Sequence, residues 1–193
     1  MKPIACLITD RRRLREPTVD AVVRQVRHAA AAGVQLVQIR ERDLEGRRLC
    51  ELARRLVEAV SGTATRIIVN DRLDVALAAG AHGVHLRGGS FAASRARRLV
   101  PAGFLVGRSV HASDDVSTAA RGADYLAYGN VYETASKPGL PAAGLSRLAA
   151  VVRATSVPVL AVGGVSIERI PAVLDAGAVG FAAISMFSEL DAQ

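Results

Sequence analysis

The stretch Val157-Pro158-Val159-Leu160-Ala161-Val162-Gly163-Gly164-Val165-Ser166 decides the reading of this chain. Its first part is apolar and rich in valine, without the polar alternation of a half-wetted strand, so it fits a strand covered on both faces. Two glycines then break it. Glycine lets backbone N–H groups approach an anion closely, where a side chain would hold it off. A helical stretch follows, and the design returns in Gly180-Phe181-Ala182-Ala183-Ile184-Ser185, an apolar strand ending in a hydroxyl. Gly163, Gly164, Ile184 and Ser185 are therefore the phosphate-binding candidates, at the seventh and eighth loops that commonly hold phosphate in barrels of this kind.

Toward the N-terminus the same alternation repeats. Strands are predicted at Ile4–Thr9, Leu36–Arg40, Arg66–Asn70, Gly83–Leu86, Leu105–Ser109 and Tyr125–Gly129, which with Val157–Val162 and Gly180–Ser185 makes eight. Helices of about 10 to 18 residues are expected between them, as at Thr18–Ala32, where Val19, Val22, Val23 and Val26 mark one apolar stripe. Eight βα units predict an α/β fold, a closed (β/α)8 TIM barrel, as a single domain over residues 1–193. Only Met186–Gln193 follows the last strand, so the eighth helix is expected to be truncated or missing. The apolar flank this leaves is expected to be buried in a homodimer.

Composition narrows the function. With 193 residues, 50% apolar and 22% charged, the chain can bury a sizeable core, which excludes disorder and collagen-like repeats. Two cysteines, Cys6 and Cys50, and 4 histidines are too few for a disulfide framework or a structural zinc site, and a cytoplasmic location is expected. The net charge of +7 comes almost wholly from arginine, the lysines being Lys2 and Lys137. That balance suits a small phosphorylated metabolite. Nucleic acid is not expected as a partner, since aromatics are 4%, Trp is 0 and the arginines are dispersed. No stretch reaches the roughly 18 apolar residues of a membrane span, so no membrane association is expected.

Polar residues gather at the strand tails: Arg40 and Arg42, Asn70 and Asp71, Ser109 and His111, Asn130, Gly163 and Gly164, Ser185. In such a barrel the C-terminal strand ends form one mouth. The segment Tyr128–Gly139 is long and polar, as a loop covering a substrate would be, and carries Thr134, Ser136 and Lys137.

Seven blocks, in order, carry a family resemblance: Gln38 to Arg42, Val69 to Arg72, Gly83 to Leu86, Gly107 to His111, Ala123 to Tyr125, Thr134 to Lys137 and Val162 to Val165. Together they resemble the thiamine phosphate synthase/TenI superfamily, whose members are (β/α)8 barrels handling the thiazole and pyrimidine phosphates of thiamine biosynthesis. The synthase branch couples a pyrimidine pyrophosphate to thiazole phosphate with magnesium on the leaving pyrophosphate. The resemblance implies that Gln38 and Arg40 lie on the pyrimidine and pyrophosphate strand, with Arg42 in place of a lysine. It matches Asn70 and Asp71 to the pair whose aspartate holds magnesium. The second metal aspartate is absent, the chain reading Leu86-Arg87-Gly88-Gly89-Ser90 there. No metal ligand set and no cofactor are expected, with magnesium implied only under the synthase reading, and Asp71 reads as the N-cap of the next helix.

Arg40-Glu41-Arg42, Gly89-Ser90-Phe91, Gly107 to His111, Glu133-Thr134 and Lys137 to Leu140 are similar to the TenI branch, the thiazole tautomerases. That likeness implies a metal-free proton shift that aromatises a thiazole carboxylate phosphate. A group that both takes and gives a proton near neutral pH is needed, a role for histidine. The branch's histidine falls at Asn130, whose amide can orient but does not titrate. His111 is then the candidate proton carrier, with Arg40, Ser109, Thr134 and Lys137 around the heterocycle, while His85 reads as a packed or surface residue. The expected function is a tautomerase; the alternatives are a thiamine phosphate synthase and a non-catalytic thiazole-phosphate-binding protein.

Overall fold

The computed structural model describes residues 2–111, 115–134, 139 and 141–188. Eight strands close into a barrel in the order β1 to β8: Ile4–Ile8, Leu36–Ile39, Arg66–Asn70, Gly83–Leu86, Leu105–Val110, Tyr125–Gly129, Val159–Val162 and Gly180–Ala183. Pairing is parallel, with Leu7 beside Val37, Gly107 beside Tyr125 and Ala161 beside Phe181. The expected TIM barrel is the observed fold. The valine- and isoleucine-rich runs form its staves because a parallel sheet under helices is dry on both faces.

The chain packs as two compact units, Ala5–Val84 resuming at Ile184, and His85–Ala183 with the residues before Ala5. In the first, helix α1 (Val19–Ala31) begins where the Thr18 hydroxyl accepts from the Ala21 N–H at 3.1 Å. Val22, Val23 and Val26 of the expected stripe are buried there, and α2 (Gly46–Ala59) buries Leu49, Leu52 and Leu56. The unit closes with a 3-10 turn at Ser185–Phe187, whose Phe187 is buried and whose carbonyl accepts from the Gln25 side chain of α1 at 2.8 Å. Residues 189–193, where the eighth helix was expected to be truncated or missing, lie outside the described set.

Helix length departs from expectation. Among the described residues, besides α1 and α2, only α6 (Gly144–Arg153) reaches ten residues. The others are α3 (Leu73–Ala78), α4 (Ala93–Arg97), α5 (Val116–Ala120) and α7 (Ile170–Asp175). Short-range stops explain two of these: α5 meets Gly122 at φ +80°, and α7 gives its first turn to a 3-10 segment, Ile167–Arg169. Among the described residues no helix is long and apolar enough to cross a membrane. Both cysteines are free, and burial pushes the Cys6 thiol up to about 12, which leaves it inert.

Candidate active site

At the ends of β1 and β2, arginines are sorted into paired and unpaired. Arg11 donates to the buried Glu41 carboxylate at 2.8 Å and holds Asp43 with both guanidinium nitrogens at 2.8 and 2.6 Å. The Arg11 backbone N–H also reaches Glu41, at 3.1 Å. This clamp fixes the backbone around Arg40, whose N–H donates to Thr9 Oγ1 at 3.0 Å. The Arg40 side chain is different: half-buried, it makes no hydrogen bond to a carboxylate. Burial, then the neighbouring Arg42, hold its guanidinium below the usual arginine range. A desolvated cation in that state is an anion acceptor. Gln38 is buried one strand step before it, and Arg42 is exposed.

Asn70 ends β3, and its carbonyl accepts from the Arg72 N–H at 2.8 Å across Asp71, which stands at φ +63°. A three-residue turn with positive φ on a non-glycine is uncommon and strained. Asp71 is therefore not the N-cap expected from sequence. Arg72 occupies that position of α3 without a side-chain cap bond and pairs with Asp74 at 2.6 Å.

In the second unit, the β7 loop lies against the loop after β6. The Val131 N–H donates to Val162 O at 2.9 Å and the Tyr132 N–H to Gly163 O at 3.1 Å. Gly163 and Gly164 stand at φ +93° and +66°, and a Cβ on either would strike Asn130 or the Tyr132–Glu133 backbone. Both positions thus require glycine by conformation and by space. Arg169 fastens the loop, donating to Gly164 O at 2.6 Å with its guanidinium 4.5 Å from the Tyr132 ring centroid. Ile184 and Ser185 follow β8 in the first unit and open its closing turn, where Ile184 O accepts from Phe187 N–H at 3.2 Å.

Two imidazoles matter here. His111 donates from Nδ1 to Gly129 O at 2.8 Å, so the neutral ring carries its proton on Nδ1 and keeps Nε2 as the acceptor. Gly88 lies beside that edge of the ring. Asn130 is buried and donates to Tyr132 O at 3.3 Å, a bracing role consistent with an amide. The peptide joining Gly129 to Asn130 is cis. His85, expected from sequence to be packed or at the surface, is buried and bonds Ser109 at 2.8 Å and Tyr125 at 3.0 Å. A histidine inside an apolar strand was the available signal, since a buried imidazole needs partners. Thr134 is half-buried at the edge of the described residues; Ser136 and Lys137 lie outside them.

Of the two magnesium carboxylates implied by the resemblance, the one present is Asp71, after β3. The loop after β4 offers no carboxylate, and its carbonyls at Gly88, Ser90 and Phe91 accept from the Arg108 guanidinium at 2.8, 3.1 and 2.8 Å. A fixed cation already takes up these oxygens. Among the described residues, no group of three or more His, Cys, Asp or Glu side chains could hold a metal ion.

A closed barrel of eight parallel strands with helices between them defines a class: the TIM-barrel proteins. Within that class, the family described as Thiamine monophosphate synthase matches residues 5–187, and the chain belongs to it. The thiamine-phosphate synthase of Methanoculleus marisnigri is 44% identical over 161 residues, covering 82% of this chain and 76% of that protein. That of Coprothermobacter proteolyticus is 40% identical over 162 residues, with 83% and 77% covered. Among solved structures, thiamine phosphate pyrophosphorylase from Pyrococcus furiosus superposes with a TM-score of 0.78 at 30% identity, over 97% of this chain and 93% of that one.

Proposed function

We propose that the chain is a thiamine-phosphate synthase, joining a pyrimidine pyrophosphate to a thiazole phosphate with release of pyrophosphate. The observation that carries this reading over the tautomerase expected from sequence is the 44% identity to a protein of that name across 82% of the chain. The geometry supports one anion subsite in each unit. In the first, Arg40 and Arg42 bind the pyrophosphate and stabilise the charge that grows on it as its bond to the pyrimidine-bearing carbon breaks. In the second, the Gly163–Gly164 amides and the adjoining loop hold the thiazole phosphate. In this reading the guanidinium groups of Arg40 and Arg42 meet the leaving charge, and no step is routed through a metal. Incubation with both substrates, followed by chromatography for thiamine phosphate and release of pyrophosphate, tests the reading. Absence of coupled product under saturating substrate overturns it.

A second reading, the metal-free thiazole tautomerase, is supported by His111. Its Nδ1 donates to Gly129 O, which fixes the tautomer of the neutral ring. Aromatisation of a thiazole carboxylate phosphate, undiminished by chelator and without pyrophosphate release, would favour it. Either way the partner is a small phosphorylated heterocycle, and the homodimer expected from sequence remains a proposal for light scattering.

A further inference from the structure

His85 on β4 is buried, with only 3% of its surface exposed, and both ring nitrogens meet hydroxyl groups. Nδ1 lies 3.0 Å from the Tyr125 hydroxyl of β6, and Nε2 lies 2.8 Å from Ser109 Oγ of β5. The imidazole and phenol rings are tilted by 31° with centroids 5.6 Å apart. Tyr125 is 6% exposed and Ser109 is half-buried, so the chain of three runs from the interior outward. Its inner end is built into the sheet. Gly107 is the register partner of Tyr125, and a Cβ there would overlap the phenol ring and its hydroxyl.

A hydroxyl can give or accept, so direction depends on relative acidity. A phenol is more acidic than a serine hydroxyl and is the better donor to an unprotonated ring nitrogen. Tyr125 therefore donates to Nδ1, Nε2 carries the ring proton and donates to Ser109 Oγ, and the serine's own proton turns outward. Each bond polarises the next in the same sense.

We infer that Tyr125, His85 and Ser109 form a directional hydrogen-bond relay that presents the Ser109 O–H as a donor to an anionic oxygen of the ligand. Ser109 touches the ligand; His85 and Tyr125 are positioning residues. The ligand half of this inference rests on the phosphorylated-substrate reading above, whereas the relay itself does not.

Long-range ¹⁵N–¹H correlation NMR of the full chain at neutral pH reads the His85 tautomer directly. The proton is expected on Nε2 with Nδ1 unprotonated, and any spectrum with a proton on Nδ1 overturns the relay. Titration with inorganic phosphate, the probe for the anion subsite of the same unit, reads its effect. Tyr125→Phe and His85→Phe are each expected to weaken binding about fivefold, the worth of one hydrogen bond. His85→Gln, which keeps an N–H toward Ser109, stays within about twofold on the same argument. In a Ser109→Ala background, Tyr125→Phe should cost nothing more, because the link it acts through is gone. Equal losses in both backgrounds, or a Gln variant as weak as the Phe variant, would overturn the positioning role. Should the unmodified chain bind no phosphate, the ligand reading fails while the tautomer measurement still decides the relay.

Discussion

The His111 imidazole donates from Nδ1 to the carbonyl of Gly129 at 2.8 Å, tying the residue after β5 to the end of β6. This bond chooses the tautomer before any ligand arrives. His111→Ala is accordingly expected to slow a thiazole proton shift by about 100-fold or more, the ordinary worth of a placed general base. Coupling of the two heterocycles, which needs no such base, should stay within about threefold on the same reasoning. Parallel chromatographic assays of one variant separate the readings; equal losses in both would deny His111 a selective role.

Gly164 stands at φ +66° with Tyr132 and the Glu133 carbonyl where a Cβ would be. Gly164→Ala should destabilise the fold by about 1–3 kcal/mol and weaken thiazole phosphate binding more than about tenfold. Denaturant melts and calorimetry check the two effects separately. Unchanged affinity would remove this loop from the phosphate site.

Arg40 combines partial burial with freedom from any carboxylate hydrogen bond. Arg40→Ala is expected to lower pyrophosphate affinity by about tenfold or more, as loss of a charge-assisted bond does. Arg40→Lys keeps the charge without the planar fork and should recover only part of it. Full recovery with lysine would mean that the site senses charge alone.

Asp115 caps α5, accepting from the Ser117 and Thr118 N–H groups and from both hydroxyls, and these bonds hold its carboxyl down to about 2 from the usual 3.8. A depressed folded value means that the cap contributes fully above about 3.8, declines as pH falls, and is gone once pH passes below about 2. Carboxyl ¹³C NMR should place its midpoint near 2, with Ser117 and Thr118 amide exchange accelerating over the same window. A midpoint at the ordinary value would show the cap unformed.

The barrel was legible because its strands are written in runs of valine, isoleucine and leucine, and the predicted strand bounds differ from the observed ones by two residues at most. Helix length was less legible, since α5 and α7 are cut short by local turns that a periodic pattern does not encode. A turn after β7 could be anticipated from its two adjacent glycines, and both stand at positive φ. The role of His85 could not, as its partners lie 24 and 40 residues away and meet it only through register. Asp71 failed for a related reason: residue type favours a cap, but the backbone places it in a positive-φ turn.

The grip of Arg108 on the carbonyls of Gly88, Ser90 and Phe91 also sets the terms for engineering this barrel. Writing an aspartate into position 90 to recruit a divalent ion would place the new carboxylate beside a resident guanidinium, which would pair with it first. An ion site built on this loop thus demands at least two coordinated changes, with the arginine removed first.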